Sequence, residues 1–209
     1  MTKLYYVHDP MCSWCWGFTK TWQQLQRELP ADIGVVRLLG GLAEDNDTPM
    51  SAEMREKLAA TWQRIATRIP GVEFNFNFWK MRTPRRATYP ACRAVIAARQ
   101  QGDEYDIAMT HAIQHAYYLQ ARNPSDESTL TTLAAELGLD TELFRQALQA
   151  EHTQAQLLQE IAQARRLGAD SFPSLVLEHK GGFWPIPIDY NQSESMRELI
   201  ELLSAEPVD

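Results

Sequence analysis

Cysteine is scarce in this sequence, with three residues in 209. A low and odd count is unlike a small secreted domain held together by disulfides. No stretch is apolar enough to cross a bilayer, which takes about 20 residues, and Lys3 leads into no secretory apolar run before Asp9. We therefore expect a cytoplasmic protein in a reducing compartment, where any disulfide is transient.

Basic residues are fewer than acidic ones. Lys and Arg number 20 against 27 Asp and Glu, so the net charge is −7. This balance argues against nucleic acid and against an anionic membrane surface as partners. Internal repeats, low-complexity tracts and flexible linkers are missing, and 209 residues can bury a core without disulfides or metals. No pattern indicates the oligomeric state.

Two of the cysteines, Cys12 and Cys15, have the C-x-x-C spacing of a redox dithiol. They lie between an apolar strand over residues 3–8 and a helical pattern over residues 15–28. The unpaired N–H groups at a helix start carry partial positive charge and favour a thiolate placed there. We therefore predict that Cys12 is a nucleophile, with Cys15 one turn further on to close a disulfide with it.

A zinc site is the main alternative for this pair. Structural zinc takes four ligands, and the remaining candidates are Cys92, His8 and His179, none of which forms a second pair at ligand spacing. An inert structural pair is also disfavoured, because the flanking Asp9 and Gly17 indicate a turn rather than a core. We therefore predict no metal.

Hydrophobic periodicity predicts that the chain starts with a β-α-β unit. Its second strand, over residues 33–39, is expected to be buried and parallel to the first. The chain is then mostly helical up to Gly168. The first helix of this region is expected to be capped at Thr48 and to start with Pro49, and the second to cover residues 85–101.

Strand signals return near the end of the chain. Residues 174–178 and 183–188 flank a Gly-Gly turn and predict an antiparallel hairpin, whose second strand is confined to a sheet edge by its two prolines. A final helix over residues 193–203 has the spacing of a capping box at Asn191 and Glu194.

The order β-α-β, about five helices, then β-β-α predicts an α/β fold with a central mixed sheet. Residues 1–45 and 168–209 are expected to form one domain that carries the sheet. Residues 46–167 are expected to form a helical domain inserted into it.

Aromatic residues crowd the dithiol and one further segment. Of those near the dithiol, Trp14 lies between the cysteines and is the one expected to be exposed. Phe74, Phe76 and Phe78 alternate with period two, so they share one face if the segment is extended. They are expected either to pack the helical insertion against the sheet domain or to form an apolar wall over the dithiol.

Two motifs resemble those of the DsbA-like thioredoxin family, and in particular its cytosolic branch with the FrnE-type oxidoreductases. They are Asp9-Pro10-Met11-Cys12-Ser13-Trp14-Cys15 and Ser171-Phe172-Pro173-Ser174. The resemblance covers essentially the whole chain in element order and implies a thioredoxin-like fold with a helical insertion. Ser13 departs from the proline common in this branch, and Phe172 from a small or β-branched residue.

The resemblance also implies roles for individual residues. Cys12 is the nucleophile, Cys15 the resolving thiol, and Pro173 a cis-proline that faces them. The backbone of Phe172, exposed by the cis bond, and the indole of Trp14 are the expected substrate contacts. The Pro-His pair between the cysteines of the periplasmic oxidases is absent, so we predict a less oxidising couple.

Two ionisable residues precede the dithiol. His8 is interpreted either as a proton donor or cation that favours the thiolate, or as an ordinary residue at a strand end. Asp9 is interpreted either as the acceptor of the proton that Cys15 loses, or as a turn former before Pro10. The third cysteine, Cys92, lies in an apolar helix and is expected to be a buried, unreactive thiol.

The leading functional hypothesis is a thiol–disulfide oxidoreductase or protein disulfide isomerase acting on protein or small-molecule thiols and disulfides. It needs no bound cofactor, and glutathione is a candidate exchange partner. One alternative is a glutathione-dependent transferase or isomerase of the kappa or hydroxychromene-carboxylate isomerase type. Those enzymes hold glutathione with a serine at the first cysteine position, so Cys12 argues against them. A non-enzymatic redox-sensing or peptide-binding protein is the third hypothesis.

Overall fold

The computed structural model describes residues 2–80 and 84–205. Its elements are β1 (Thr2–His8), α1 (Ser13–Glu28), β2 (Ile33–Leu39), α2 (Ala52–Arg68), a 3₁₀ turn (Phe76–Lys80), α3 (Tyr89–Arg99), α4 (Glu104–Tyr118), α5 (Glu127–Glu136), α6 (Thr141–Gln149), α7 (Glu151–Arg166), β3 (Ser174–His179), β4 (Gly182–Ile186) and α8 (Glu194–Ala205). Within the described residues, no helix is long and apolar enough to cross a membrane.

The strands form one mixed sheet in the order β2-β1-β3-β4. β1 is parallel to β2 and antiparallel to β3, and β3 pairs with β4 as a hairpin. The predicted β-α-β unit and hairpin are therefore confirmed. Pro185 lies on the edge strand β4, as expected of a residue with no N–H to donate. The predicted fold class, a mixed sheet with helices inserted between its two halves, is confirmed as well.

The central strand β1 is apolar on both faces because helices cover both. Leu4 and Tyr6 pack into a cluster with residues of α1 and α8. Tyr5 and Val7 point to the other face and pack with Ala164 of α7. The carboxyl end of β1, which leads into the dithiol, is therefore enclosed from two sides.

The helices between β2 and β3 share a core around α3. Ala91, Val95 and Ala98 of this helix are fully buried, as predicted, and Cys92 is buried beside them. The boundaries at residues 45 and 168 stay a prediction.

A chain of ion pairs ties this helical core to the sheet. Arg37 of β2 contacts Asp106 of α4 at 2.6 Å. Arg99 of α3 contacts both Asp106 and Glu160 of α7, at 2.5 and 2.8 Å. Glu160 also accepts the N–H of Leu39, at 2.9 Å. The sheet and three helices of the insertion region, α3, α4 and α7, therefore meet at one network of largely buried charges.

Expectations for β2 and α2 are corrected. β2 was expected to be buried but is an edge strand, and Val35 on it is exposed. α2 begins at Ala52 rather than after Thr48, and Ser51 caps it. Pro49 instead takes part in an isolated β-bridge, which holds the segment before the helix in an extended conformation.

The phenylalanine segment is not extended as a whole, because a 3₁₀ turn begins at Phe76. The rings of Phe74, Phe76 and Phe78 surround Trp62 at centroid distances of 5.0, 6.0 and 5.9 Å. The Nε1–H of Trp16 on α1 donates to the backbone C=O of a neighbouring residue, Glu73, at 3.1 Å. The segment therefore packs on α2 of the insertion and on α1. This favours its interpretation as a packing element over that of an apolar wall above the dithiol.

The starts of two other helices also differ from expectation. α3 begins at Tyr89, later than residue 85. α8 begins at Glu194, and the C=O of Ser193 accepts its first helical N–H. Asn191 does not cap it, because its N–H donates to Asp189 in a separate turn. The predicted capping box is therefore wrong.

Candidate functional site

Cys12 stands at the N-cap of α1, which begins at Ser13, slightly earlier than predicted. The C=O of Cys12 accepts the N–H of Trp16 at 3.0 Å, and its Sγ accepts the N–H of Cys15 at 3.4 Å. The C=O of Asp9 accepts the N–H of Cys12 at 3.0 Å and closes the turn before the helix. The sulfur therefore lies where the free N–H groups of the helix start favour negative charge.

The two thiols of the pair differ in exposure. Both are free, but Cys12 keeps 6% of its surface exposed whereas Cys15 keeps none. Burial raises the pKa of the Cys15 thiol well above its ordinary value, and the hydrogen bond and charge of Cys12 raise it further. A substrate can therefore meet Cys12 alone, and Cys15 is a protonated thiol held beneath it.

The peptide bond between Phe172 and Pro173 is cis, which confirms the prediction made for this proline. It lies directly beside the dithiol, because the Cys12 thiol donates to the C=O of Phe172 at 3.4 Å. The Phe172 ring fills the space where a side chain at residue 40 would be, since a Cβ on Gly40 would lie 2.2 Å from it. Two segments far apart in sequence therefore form one surface.

Trp14 is half-buried rather than exposed, which corrects the expectation for it. Its ring lies 5.1 Å from the ring of Tyr190 and 5.9 Å from the guanidinium carbon of Arg68. The contact with Arg68 is within cation–π range. Trp14 is thus held at the rim of the site between the end of α2 and the segment before α8.

Asp9 is completely buried although it is a carboxylate. Its Oδ1 accepts the N–H of Met11 at 2.8 Å, which is the local turn that a turn former makes. Its Oδ2 accepts the Leu42 N–H at 2.8 Å and the Thr88 hydroxyl at 2.6 Å, and lies 3.6 Å from Cys92 Sγ. Burial raises the pKa of the Asp9 carboxyl, and these hydrogen bonds counteract part of that rise.

His8 is buried at the end of β1, where its ring stacks on Tyr6 at 4.9 Å. Burial lowers the pKa of its imidazole well below the usual value, with the Arg37 charge adding to the effect. A lowered pKa favours the neutral ring at pH 7, which disfavours the cation interpretation. Within the described residues, no hydrogen bond joins His8 to either thiol of the pair.

Sequence reasoning missed Gly40, Thr88 and Tyr190 as parts of the site. Gly40 directly follows the second predicted strand, and its missing side chain makes room for Phe172. Thr88 is 79 positions from its partner Asp9, so no local spacing could reveal the pair. Cys92 is buried as predicted, but its contact with Asp9 was not foreseen.

No three or more His, Cys, Asp or Glu side chains among residues 2–80 and 84–205 are grouped so that they could hold a metal ion. His179, a candidate ligand, instead pairs with the Thr2 hydroxyl at 2.8 Å. A cavity of about 400 Å³ runs along the outer face of α1 past Trp16, His115 and Tyr190. Neither cysteine of the dithiol lines it, so it is separate from the reactive sulfur.

Comparison with known proteins agrees with this architecture. The family model described as thioredoxin matches residues 5–182. The crystal structure of a candidate protein disulfide isomerase from Nitrosomonas europaea is 28% identical, with a TM-score of 0.83 over 96% of each chain.

Two further relatives carry names that bear on function. The cytosolic disulfide reductase DsbM from Pseudomonas aeruginosa is 25% identical, with a TM-score of 0.77 over 96% of this chain and 98% of that one. It has also been solved with GSH. The ClpXP adapter protein SpxH from Bacillus subtilis is 24% identical over 98% of this chain and 69% of its own length.

Proposed function

Because this chain belongs to the thioredoxin family, as its motifs predicted, we propose that it is a dithiol oxidoreductase working through Cys12 and Cys15. Thiol–disulfide oxidoreduction is the general activity of its DsbA-like structural relatives, with thiols and disulfides as substrates. The observation that carries the proposal is the position of Cys12 Sγ, 3.4 Å from both the Cys15 N–H and the Phe172 C=O.

The reaction proceeds in two exchanges. The Cys12 thiolate attacks one sulfur of a substrate disulfide, the S–S bond breaks, and the other substrate sulfur leaves with the electron pair and takes a proton from solvent. Cys15 then loses its proton to the buried Asp9 carboxylate and attacks Cys12. The bond from Cys12 to substrate breaks, the second substrate thiolate leaves, and the Cys12–Cys15 disulfide remains. Two electrons have passed to the substrate.

Substrate binding is assigned to the surface around Pro173. The Phe172 C=O that accepts the Cys12 thiol is free to accept a backbone N–H of an extended substrate once Cys12 has reacted. Trp14 supplies an apolar wall at the rim, where it is fixed by Tyr190. This arrangement suits a flexible segment around an exposed cysteine, whatever the rest of the substrate is.

We propose that the thiol–disulfide exchange runs towards reduction or isomerisation of the substrate, in the cytoplasm and with glutathione as the exchange partner. The support is the similarity to a cytosolic disulfide reductase that has been solved with GSH. A buried Cys15 whose pKa is raised also favours keeping the resolving thiol protonated in the reduced enzyme. No bound cofactor is required, because the dithiol itself carries the electrons.

Trapping of a covalent intermediate tests the proposal. The Cys15→Ser variant should accumulate a mixed disulfide through Cys12 when it is mixed with oxidised glutathione or scrambled ribonuclease, as seen by intact-mass spectrometry. Cys12→Ser should trap nothing. Cys92→Ser should form the first mixed disulfide at the same rate as the parent. If Cys15→Ser trapped nothing with either substrate, the proposal would be wrong.

A second candidate function is an adapter or redox-sensing protein that binds a polypeptide without turning it over. The SpxH similarity favours it, because that relative is named as a ClpXP adapter. In this case Cys12→Ser would bind a peptide client as tightly as the parent. A kappa-type transferase is disfavoured by the cysteine at residue 12, and conjugation of glutathione to 1-chloro-2,4-dinitrobenzene would reveal it.

A further inference from the structure

The Asp9 carboxylate has an unusual environment for a buried charge. It is completely buried, yet within the described residues it forms no ion pair with Arg, Lys or His. Neutral donors contact it instead, which makes its charge depend mainly on hydrogen bonds. Buried carboxylates held in this way lose their proton less easily when a donor is removed.

Two of the donors come from one turn of the inserted helix α3. Thr88 precedes the helix and Cys92 lies within its first turns, so both face the same carboxylate. Threonine at a helix start commonly caps its own helix, but the Thr88 hydroxyl makes no such bond. Its Oγ1 accepts the N–H of Ala43 at 3.0 Å and lies 2.6 Å from Asp9 Oδ2, nearer than any other acceptor it has.

Cys92 is suited to donate rather than to react. Burial raises the pKa of its thiol well above the usual value, and the Asp9 charge raises it further, so the S–H is retained at neutral pH. Its sulfur lies 3.6 Å from Asp9 Oδ2, a normal distance for a hydrogen bond from sulfur. The third cysteine is therefore a polar contact of the carboxylate and not only a filler of the helical core.

The main chain connects Asp9 directly to the dithiol. Its C=O accepts the N–H of Cys12 at 3.0 Å. Its N–H group lowers the pKa of Cys15 by hydrogen bonding to that sulfur, while its carboxylate raises it through charge repulsion. A change in the ionisation of Asp9 is therefore felt at Cys15, the thiol that must lose a proton for the second exchange.

We propose that Thr88 and Cys92 are positioning residues for the resolving step: their hydrogen bonds hold Asp9 in the ionised form, in which it accepts the proton of Cys15. This inference rests on the proposed dithiol function and adds to it. The helical insertion, through α3, thereby sets the rate at which the mixed disulfide on Cys12 is released.

Other charged and titratable groups also face Asp9, and each is present in every variant considered below. They are Cys15 on α1, Tyr117 and Tyr118 on α4, and Arg86 before α3. Arg86 is the cation among them and lowers the pKa of Asp9, while burial raises it. Loss of Thr88 or Cys92 as a donor leaves burial less opposed, so the Asp9 pKa moves upward.

The resolving step can be measured on its own. The mixed disulfide of Cys12 with glutathione is formed in the full chain, and release of glutathione is followed by rapid quench from pH 5 to 9. Thr88→Val and Cys92→Ala should each move the lower limb of this pH profile upward by about one unit, so release at any pH on that limb slows about tenfold. Thr88→Ser and Cys92→Ser, which restore a hydroxyl donor, should return it toward the parent.

Carbon-13 NMR of the Asp9 carboxyl supplies a readout that does not depend on activity, and its titration should shift upward in the same two variants. Thr153→Val is the matched control, because Thr153 is a buried threonine whose hydroxyl contacts Gln100 far from Asp9. An unchanged pH profile and an unchanged Asp9 titration in both Thr88→Val and Cys92→Ala would overturn the inference. Absence of any mixed disulfide in Cys15→Ser would instead overturn the proposed function itself.

Discussion

The Cys12 sulfur and the backbone oxygen of Phe172 lie 3.4 Å apart, although 160 positions separate them in the chain. The contact depends on a third residue, Gly40, since the Phe172 ring occupies the place of a missing side chain there. The end of β2, the start of α1 and the segment before β3 therefore meet at the reactive sulfur. The position of each of these three segments therefore depends on its contacts with the other two.

Gly40→Ala should disturb this contact, because the new Cβ would lie 2.2 Å from the Phe172 ring and force it to move. We expect a loss of about 1–3 kcal/mol in the free energy of unfolding, as for other overpacked sites, and slower reaction of Cys12 with oxidised glutathione. Urea denaturation and stopped-flow thiol assays measure the two effects.

Gly34→Ala is the matched control, since a Cβ there meets its nearest atom only at 3.9 Å. In a Phe172→Ala background the ring is gone, so Gly40→Ala should cost less than it does alone. Equal costs in both backgrounds would show that the two residues are not coupled.

The parts of the site that the sequence predicted correctly are local or carry a family motif. The C-x-x-C at a helix start follows from a strand, a turn and a helix that are adjacent in the chain, and Cys12 lies at the N-cap as that order requires. The cis bond at Pro173 was predicted from a motif, not from energetics, and is present. The roles assigned to Trp14 and Phe172 stay predictions.

The features that sequence analysis missed or misjudged depend on packing between distant segments. The alternation of Phe74, Phe76 and Phe78 predicted an extended segment. In the structure a 3₁₀ turn begins at Phe76, and the segment packs on the distant Trp62. His8 has the same sequence context whether it is exposed or buried, and only burial decides that it is neutral. Contacts between individual rings have no period that a sequence pattern could show.

Acid should destabilise the protein partly through His8. Its folded pKa lies well below the unfolded value of about 6.5, so the unfolded chain binds the extra proton and stability falls as the pH drops below that value. His8→Phe keeps a ring against Tyr6 but cannot titrate. Its free energy of unfolding should fall less steeply between pH 6.5 and 5, by up to about 1.4 kcal/mol per pH unit.

Urea denaturation at a series of pH values measures this difference. Parallel curves for the parent and His8→Phe would show that His8 is not the residue responsible.

The ion-pair network between sheet and insertion should matter more for stability than surface pairs do. Arg99 contacts Asp106 and Glu160, and the side chains of these acids are only 9% and 10% exposed. Arg99→Met leaves Glu160 without its cation, so we expect a loss of about 3 kcal/mol in the free energy of unfolding.

Arg145→Met removes an exposed pair with Glu142 on one helix and should cost no more than about 0.5 kcal/mol. Urea denaturation of both variants at pH 7 makes the comparison. Similar losses in the two would mean that the buried network contributes no more than a surface ion pair.

The identity of the residues between the cysteines should set the reduction potential. Within the described residues, the hydrogen bonds of the Cys12 sulfur run to Cys15 N and Phe172 O, and none comes from a cationic side chain. The reduced form therefore lacks the extra stabilisation of a nearby charge. We expect a potential in the range of thioredoxins and glutaredoxins, about −270 to −200 mV, rather than the value near −120 mV of a strong oxidase.

Trp14→His tests this explanation, because an imidazole beside Cys12 carries a positive charge only when it is protonated. The potential against glutathione should rise by roughly 30 mV, equivalent to about 1.4 kcal/mol, and the rise should be larger at pH 6 than at pH 8. Trp14→Phe keeps an apolar ring against Tyr190 and should shift the potential little at either pH. A rise of equal size in both variants would assign the effect to loss of the indole, since the phenylalanine carries no charge at any pH. A rise confined to the histidine variant, and strongest in acid, would assign it to the charge.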